Sequence, residues 1–202
     1  KIMLKSLNEL IEKVKENPKN KIAVVAAEEK SVLEVIDNAN KLNLADFILI
    51  GDKSKIRKID IDISDYEIID ESNHEKASEK AVDLVKNNEV DAIMKGLLHT
   101  GTFLKAVLDK EKGLNRGELL SQVSVYDKEY GEGLQLLTDC AMAIEPSLEE
   151  KKNITQNAIN LALKLGYKKP KVALLSALEV VNPEIKDTLD ASIISKMADR
   201  GQ

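Results

Sequence analysis

Apolar residues along this chain follow two alternating rhythms. Runs such as Ile22–Ala26, Phe47–Ile50, Tyr66–Ile69 and Val90–Met94 are nearly continuous, the pattern of short strands buried on both faces. Between them, Val32, Leu33, Val35, Ile36 and Ala39, and then Ala77, Ala81, Val82 and Val85, recur at the spacing of amphipathic helices. Leu4, Leu7, Leu10, Ile11 and Val14 mark an opening helix that Asn17-Pro18 stops. Leu104, Val107 and Leu108 begin another helix. Val123–Tyr126 and Leu134–Leu137 read as strands, with Gly131 and Gly133 predicting a hairpin turn between them. Ile154, Ala158, Leu161, Ala162 and Leu165 make a helix that Gly166 closes. The run Val172–Leu175 predicts one more buried strand, driving into Ser176. A polar turn at Asn182-Pro183 and a helix ending on Asp199-Arg200-Gly201 follow.

Strand and helix in alternation imply βαβ units with right-handed crossovers. The predicted fold is α/β, doubly wound on a mostly parallel sheet. A boundary is expected near Thr138-Asp139, which gives a first α/β domain over 1–137 and the start of a second over 138–202. The opening Lys and the glycine turn at the close make the chain read as part of a longer protein.

Composition narrows the functional classes. The net charge of −5 argues against a general nucleic-acid binder, whose footprint is usually basic, but not against a small anionic ligand. One cysteine, Cys140, permits no intrachain disulfide and suits a reducing cytoplasm. No window nears 18 uninterrupted apolar residues, so no transmembrane helix is expected. There is no P-loop, no Gly-x-Gly-x-x-Gly fingerprint, no nucleophile elbow and no CxxC pair. His74 and His99 lack metal-ligand spacing with each other or with Cys140; His74 reads as solvated and Cys140 as a small buried residue.

Met94-Lys95-Gly96-Leu97-Leu98-His99-Thr100 links a predicted strand to a helix. Gly96 permits close backbone approach, Lys95 offers a cation, and Thr100 is placed as an N-cap. A helix N-terminus beside a lysine suits a phosphate group; the same features also describe an ordinary strand-to-helix turn. Lys105, Lys110, Lys112 and Arg116 form a cation cluster downstream, interleaved with Asp109 and Glu111, so that a ligand-steering face and a self-neutralised one are both open. Asp139, after Thr138, is either a general base or a turn-forming residue.

Many pieces in order resemble the phosphate butyryltransferases of the phosphate acetyl/butyryltransferase family: Met94-Lys-Gly96 with His99-Thr100, Ala106-Val-Leu-Asp-Lys110, Leu119-Leu-Ser121, Thr138-Asp139, Leu175-Ser-Ala177, Glu179-Val-Val-Asn-Pro183 and Arg200-Gly-Gln202. The resemblance implies an isocitrate/isopropylmalate dehydrogenase-like two-domain architecture and a cytoplasmic homodimer or higher homo-oligomer. It implies transfer of a butyryl group between CoA and inorganic phosphate, with acyl-CoA and phosphate as substrates, no tightly bound cofactor and no metal. Phosphate acetyltransferase and acyl-ACP phosphate acyltransferase are the alternatives within the fold, and a non-catalytic CoA-binding protein is the alternative outside catalysis. Matching positions for substrate binding are Lys95, Gly96, Thr100, Ser121, Thr138, Asn182 and Arg200. Asp139 and Ser176 are the catalytic candidates within the chain. The family's main catalytic residues belong to a later glycine-rich stretch that these 202 residues do not contain, so they alone are expected to be inactive.

Overall fold

Four of the apolar runs assemble into one parallel sheet. In the computed structural model, which describes residues 3–202, β1 (Asn20–Val25), β2 (Ala45–Gly51), β3 (Glu67–Asp70) and β4 (Ala92–Lys95) lie in the order β3-β2-β1-β4. Register pairs Ala23 with Ile48 on one side and Ile93 on the other. Successive strand residues point to opposite faces. On one face Val24 and Leu49 pack with Leu33 and Ile36 of α2 (Lys30–Lys41) and Ile56 of α3 (Lys53–Ile56). On the other, Ala23, Val25, Ile48 and Ile50 pack with Ala77 and Ala81 of α4 (His74–Lys86), and with Leu98 and Phe103 at α5 (Thr100–Val107). Burial of each large side chain among these contributes about 1.5–3 kcal/mol.

Both faces are therefore covered, as the continuous apolar runs require. The order of strands reverses between β1 and β4. In sheets of this kind ligands bind beyond the strands' C-terminal ends at that reversal.

The compact unit built on this sheet is Ile11–Gly117; a second comprises residues 3–10 and Glu118–Gln202. The boundary read from the sequence, near Thr138-Asp139, lies inside the second unit. The opening helix α1 (Leu7–Lys15) stops ahead of Asn17-Pro18. In the second unit β5 (Ser124–Asp127) and β6 (Leu134–Leu137) form the expected antiparallel hairpin, turned by Gly131 and Gly133 at φ 79° and 115°. Helix α6 (Leu148–Lys164) opens on a capping box: Ser147 Oγ accepts from the Glu150 amide at 3.3 Å, and the Glu150 carboxylate accepts from the Ser147 amide at 2.8 Å. Helix α7 (Lys186–Arg200) ends on Gly201 at φ 71°.

Val172–Leu175 departs from expectation. It forms no strand and is open to solvent, with Leu175 80% exposed. A run of apolar residues becomes a strand only where neighbouring backbone accepts its N–H groups and donates to its carbonyls. Here a cleft separates it from β6. Cys140 is likewise exposed, not buried, because it lies on the turn that Asp139 organises. His74 is half-buried, with Nε2 3.5 Å from Glu28 Oε1, where a solvated side chain was expected.

Candidate active site

At the C-terminal ends of β1 and β4 the backbone closes on itself. The Gly96 amide donates to the Val25 carbonyl at 2.7 Å, and the Leu97 amide to the Ala26 carbonyl at 3.1 Å. Gly96 has to be glycine for steric reasons. A Cβ there would lie 2.2 Å from Ala26 O and 2.7 Å from Val25 O. Ala26 itself sits at φ 57°, a left-handed conformation that costs a β-carbon residue roughly 1–2 kcal/mol. Such strain gathers where a fold is holding a site together.

Lys95 reinforces the crossover from the side. Its Nζ donates to the Leu98 carbonyl at 2.8 Å and to the Gly96 carbonyl at 3.2 Å, which leaves the third ammonium donor available. Helix α5 follows at once. Its N-cap is His99, not Thr100: the first intrahelical bond runs from the Phe103 amide to the His99 carbonyl at 3.2 Å, which makes Thr100 the first helical residue. The His99 side chain makes no capping hydrogen bond, and His99, Thr100 and Gly101 are exposed. A positive helix end with uncapped amides, beside a lysine, matches the needs of an anionic group. The downstream cations do not converge on it as a block. Lys105 reaches Glu75 at 3.4 Å, and the Asp109 carboxylate accepts from the amides of Glu111 and Lys112.

In the second unit Gln122 joins the remaining candidates. Its amide donates to Asp139 Oδ2 at 3.1 Å, and its carbonyl accepts from Thr138 Oγ1 at 2.6 Å. Its side-chain oxygen accepts from the Cys140 amide at 3.1 Å. Asp139 Oδ1 accepts from the amides of Ala141 (2.9 Å) and Met142 (2.8 Å). Burial pushes the Asp139 carboxyl upward, but the amides of Met142, Ala141, Gln122 and Ala143 outweigh it and hold the carboxyl below the ordinary range. That is the environment of a stable carboxylate anchoring a turn. Ser121 Oγ accepts from Asn157 Nδ2 of α6 at 2.9 Å, which ties the approach to β5 onto the helix.

The family described as phosphate acetyl/butaryl transferase matches residues 6–83 and 72–202. The chain belongs to this family. The phosphate butyryltransferase of Clostridium acetobutylicum is 46% identical over 204 residues, covering 99% of this chain and 68% of that protein. The phosphate acetyltransferase of Rickettsia typhi is 40% identical over 192 residues, covering 90% of this chain and 54% of that protein. Among solved structures, a branched-chain phosphotransacylase from Enterococcus faecalis V583 superposes with a TM-score of 0.70 at 26% identity, covering 88% of this chain and 62% of that one. A phosphotransacetylase from Streptococcus pyogenes shares the fold with a TM-score of 0.73 at 20% identity, covering 96% of this chain and 70% of that one.

Lys95, Gly96 and Thr100 belong to the first unit, and the other candidates to the second. Thr138, Asp139 and Ser121 come together around Gln122. Ser176, Asn182 and Arg200 do not join that group through any hydrogen bond among the described residues. Ser176 Oγ is buried without a partner. Asn182 shapes the turn into α7: its Oδ1 accepts from the Glu184 amide at 3.0 Å, and its own amide donates to the Thr188 hydroxyl at 2.9 Å. Arg200 is exposed at the end of α7, and no carboxylate pairs with it among the described residues.

Two residues that hold the second unit in shape were not visible in the sequence. Gln122 carries no signal, since a glutamine beside a strand is ordinary. Lys151 bridges Asp187 and Asp190, each at 2.6 Å, and so ties α6 to α7. Burial lowers its pKa, but the two carboxylates outweigh burial and hold it above the ordinary lysine value. Among the described residues no three His, Cys, Asp or Glu side chains are grouped to hold a metal, and no helix is long and apolar enough to cross a membrane.

Proposed function

We propose that this protein transfers a butyryl group between CoA and inorganic phosphate, giving butyryl phosphate and free CoA. The observation that carries the reading is the 46% identity to the phosphate butyryltransferase of C. acetobutylicum, over 99% of this chain and 68% of that protein. In the reaction a phosphate oxygen attacks the thioester carbonyl carbon. The new C–O bond forms as the C–S bond breaks, and the thiolate takes up the proton that phosphate gives up.

Such a step needs phosphate held against the carbonyl, donors for the developing oxyanion, and control of the thiol proton. On this reading Lys95, Gly96 and Thr100 bind an anionic part of the substrate, supported by the uncapped start of α5 and the spare lysine donor. Ser121, Thr138, Asn182 and Arg200 are the further substrate contacts. Asp139 acts as an ionised orienting acceptor more readily than as a base, because four backbone amides hold its charge. Ser176 is the hydroxyl still in want of a partner. CoA and phosphate enter as exchanging substrates without a tightly bound cofactor. The working form is a cytoplasmic homodimer or larger homo-oligomer with an isocitrate/isopropylmalate dehydrogenase-like architecture.

The likeness to phosphate acetyltransferases such as that of R. typhi supports a second reading with a smaller acyl group. Acyl preference follows pocket volume, and one methylene is worth only about 1–3 kcal/mol. Release of CoA thiol by the full-length natural polypeptide, measured with butyryl-CoA and acetyl-CoA, tests both. Phosphate-dependent release with a hydroxylamine-trappable product, faster for butyryl-CoA, is the expected result. Faster release from acetyl-CoA transfers the assignment to the second reading. Release without phosphate makes the protein a thioesterase, and CoA binding without release makes it a binding protein; either result refutes both.

A further inference from the structure

Helix α6 holds the segment ahead of β5 through one side chain. Asn157 Nδ2 donates to the Leu119 carbonyl at 3.1 Å and to Ser121 Oγ at 2.9 Å. A carbonyl oxygen only accepts, so the nitrogen has to face Leu119, and the partners themselves settle which way the amide points. Both N–H donors of Asn157 are thereby committed. Ser121 Oγ, which receives one of them, still has its own proton to give. Among the described residues no acceptor takes that proton. The neighbouring hydroxyl is arranged the other way. Thr138 Oγ1 donates to the Gln122 carbonyl at 2.6 Å, so its single proton is committed and lone pairs are all it can offer.

The half-buried Ser121 is also fixed from its other side, because Gln122 is bound to Thr138, Asp139 and the Cys140 amide. Helix α6 in turn is held by its capping box and, through Lys151, to α7. A donor fixed by such a frame needs no reorganisation when negative charge develops in front of it. We propose that Asn157 is a positioning residue that turns the Ser121 O–H away from α6, so that Ser121 donates to an anionic oxygen of the substrate. By donating to Oγ it also polarises that O–H, as successive hydrogen bonds in a chain do. This role rests on the transfer reaction proposed above, in which two oxygens fit the donor: one of inorganic phosphate, or the oxyanion that develops on the thioester carbonyl.

Phosphate-dependent release of CoA thiol by the full-length natural polypeptide and its variants tests the role, with whichever of butyryl-CoA and acetyl-CoA is the faster substrate. Ser121→Ala is expected to lower kcat/KM about 10–100-fold, as loss of a hydrogen bond to a charged group does. A higher KM for phosphate identifies phosphate as the acceptor; a lower kcat at unchanged KM identifies the oxyanion. Asn157→Ala is expected to lower kcat/KM about 10-fold when Ser121 is present, yet to change the Ser121→Ala variant by less than about 2-fold, because it acts through that hydroxyl. Asn157→Asp keeps the shape but accepts the Ser121 proton, and so loses more than Asn157→Ala. Losses that multiply in the double variant make Asn157 merely structural and overturn the proposal, as does an Asn157→Asp loss no larger than that of Asn157→Ala. Ser121→Ala keeps the bond from Asn157 to Leu119 and carries the test alone if an Asn157 variant does not fold; kcat/KM within about 2-fold of the wild type then overturns it. A wild type without phosphate-dependent release refutes the transfer reaction itself, and this role with it.

Discussion

Gly96→Ala isolates the backbone crossover between β1 and β4. A carbon seldom approaches a carbonyl oxygen closer than about 3.3 Å, yet the added Cβ would stand 2.2 Å from Ala26 O, with Ala26 C at 2.9 Å. These neighbours are backbone, so no side chain can swing aside. The two segments must part by about 1 Å, which breaks or weakens Gly96 N–H to Val25 O and Leu97 N–H to Ala26 O. Each bond is worth about 0.5–1.5 kcal/mol, and overpacking adds about 1–3 kcal/mol. Together they put the loss at about 2–6 kcal/mol. With a urea slope of roughly 2 kcal/mol/M, the unfolding midpoint of the unit carrying this sheet falls by about 1 M or more. Urea titration of the full-length protein, followed by circular dichroism and by CoA release at each stage, reads both stability and turnover. A midpoint within about 0.25 M of the wild type, equivalent to about 0.5 kcal/mol, refutes the steric account, because it means the backbone has room that the geometry denies.

The ion pairs between α6 and α7 should differ sharply in value. Asp190 is 8% exposed at its side chain and Asp187 62%, so Lys151→Met, which strands Asp190 without a counter-charge, is expected to cost about 2–4 kcal/mol. Asp187→Asn should cost under about 1 kcal/mol, and equal losses in calorimetry would contradict this. Asp139 contributes stability at neutral pH that is lost as pH falls, because its folded pKa lies below its unfolded value. Asp139→Asn should therefore lower stability near pH 7 and flatten the acid limb of a stability–pH profile; an unchanged limb would show that its amide cradle contributes nothing. Lys95→Met removes a cation beside α5 and two bonds to loop carbonyls. On the proposed function it raises KM for substrate by about 10-fold with kcat less affected, as loss of uniform binding does. A kcat loss at unchanged KM would move Lys95 from binding into the chemical step.

Much of the first unit was legible in the residues themselves. Each of its four strands was expected within about two residues of where it lies, because fully buried strands need continuous apolar runs and their helices need one apolar stripe. The β5–β6 hairpin was equally plain from its paired glycines, whose positive φ few other residues adopt at low cost. Local chemistry likewise marked Gly96 and the start of α5, although the cap fell on His99 and not on Thr100.

The sequence by itself thus determined the α/β class, the parallel sheet, the loop after β4 and the family. Those depend on periodicity, on turn chemistry and on many short pieces in order, all of which are written along the chain. Only tertiary structure decided that Gln122 would gather Thr138 and Asp139, that Lys151 would clamp two aspartates 36 and 39 residues away, and that Val172–Leu175 would stand unpaired. The physical reason is common to all three. A side-chain hydrogen bond, an ion pair and a strand ladder each need a partner brought close by the rest of the fold. Local composition records that a residue can make such a bond, while distance decides whether it does.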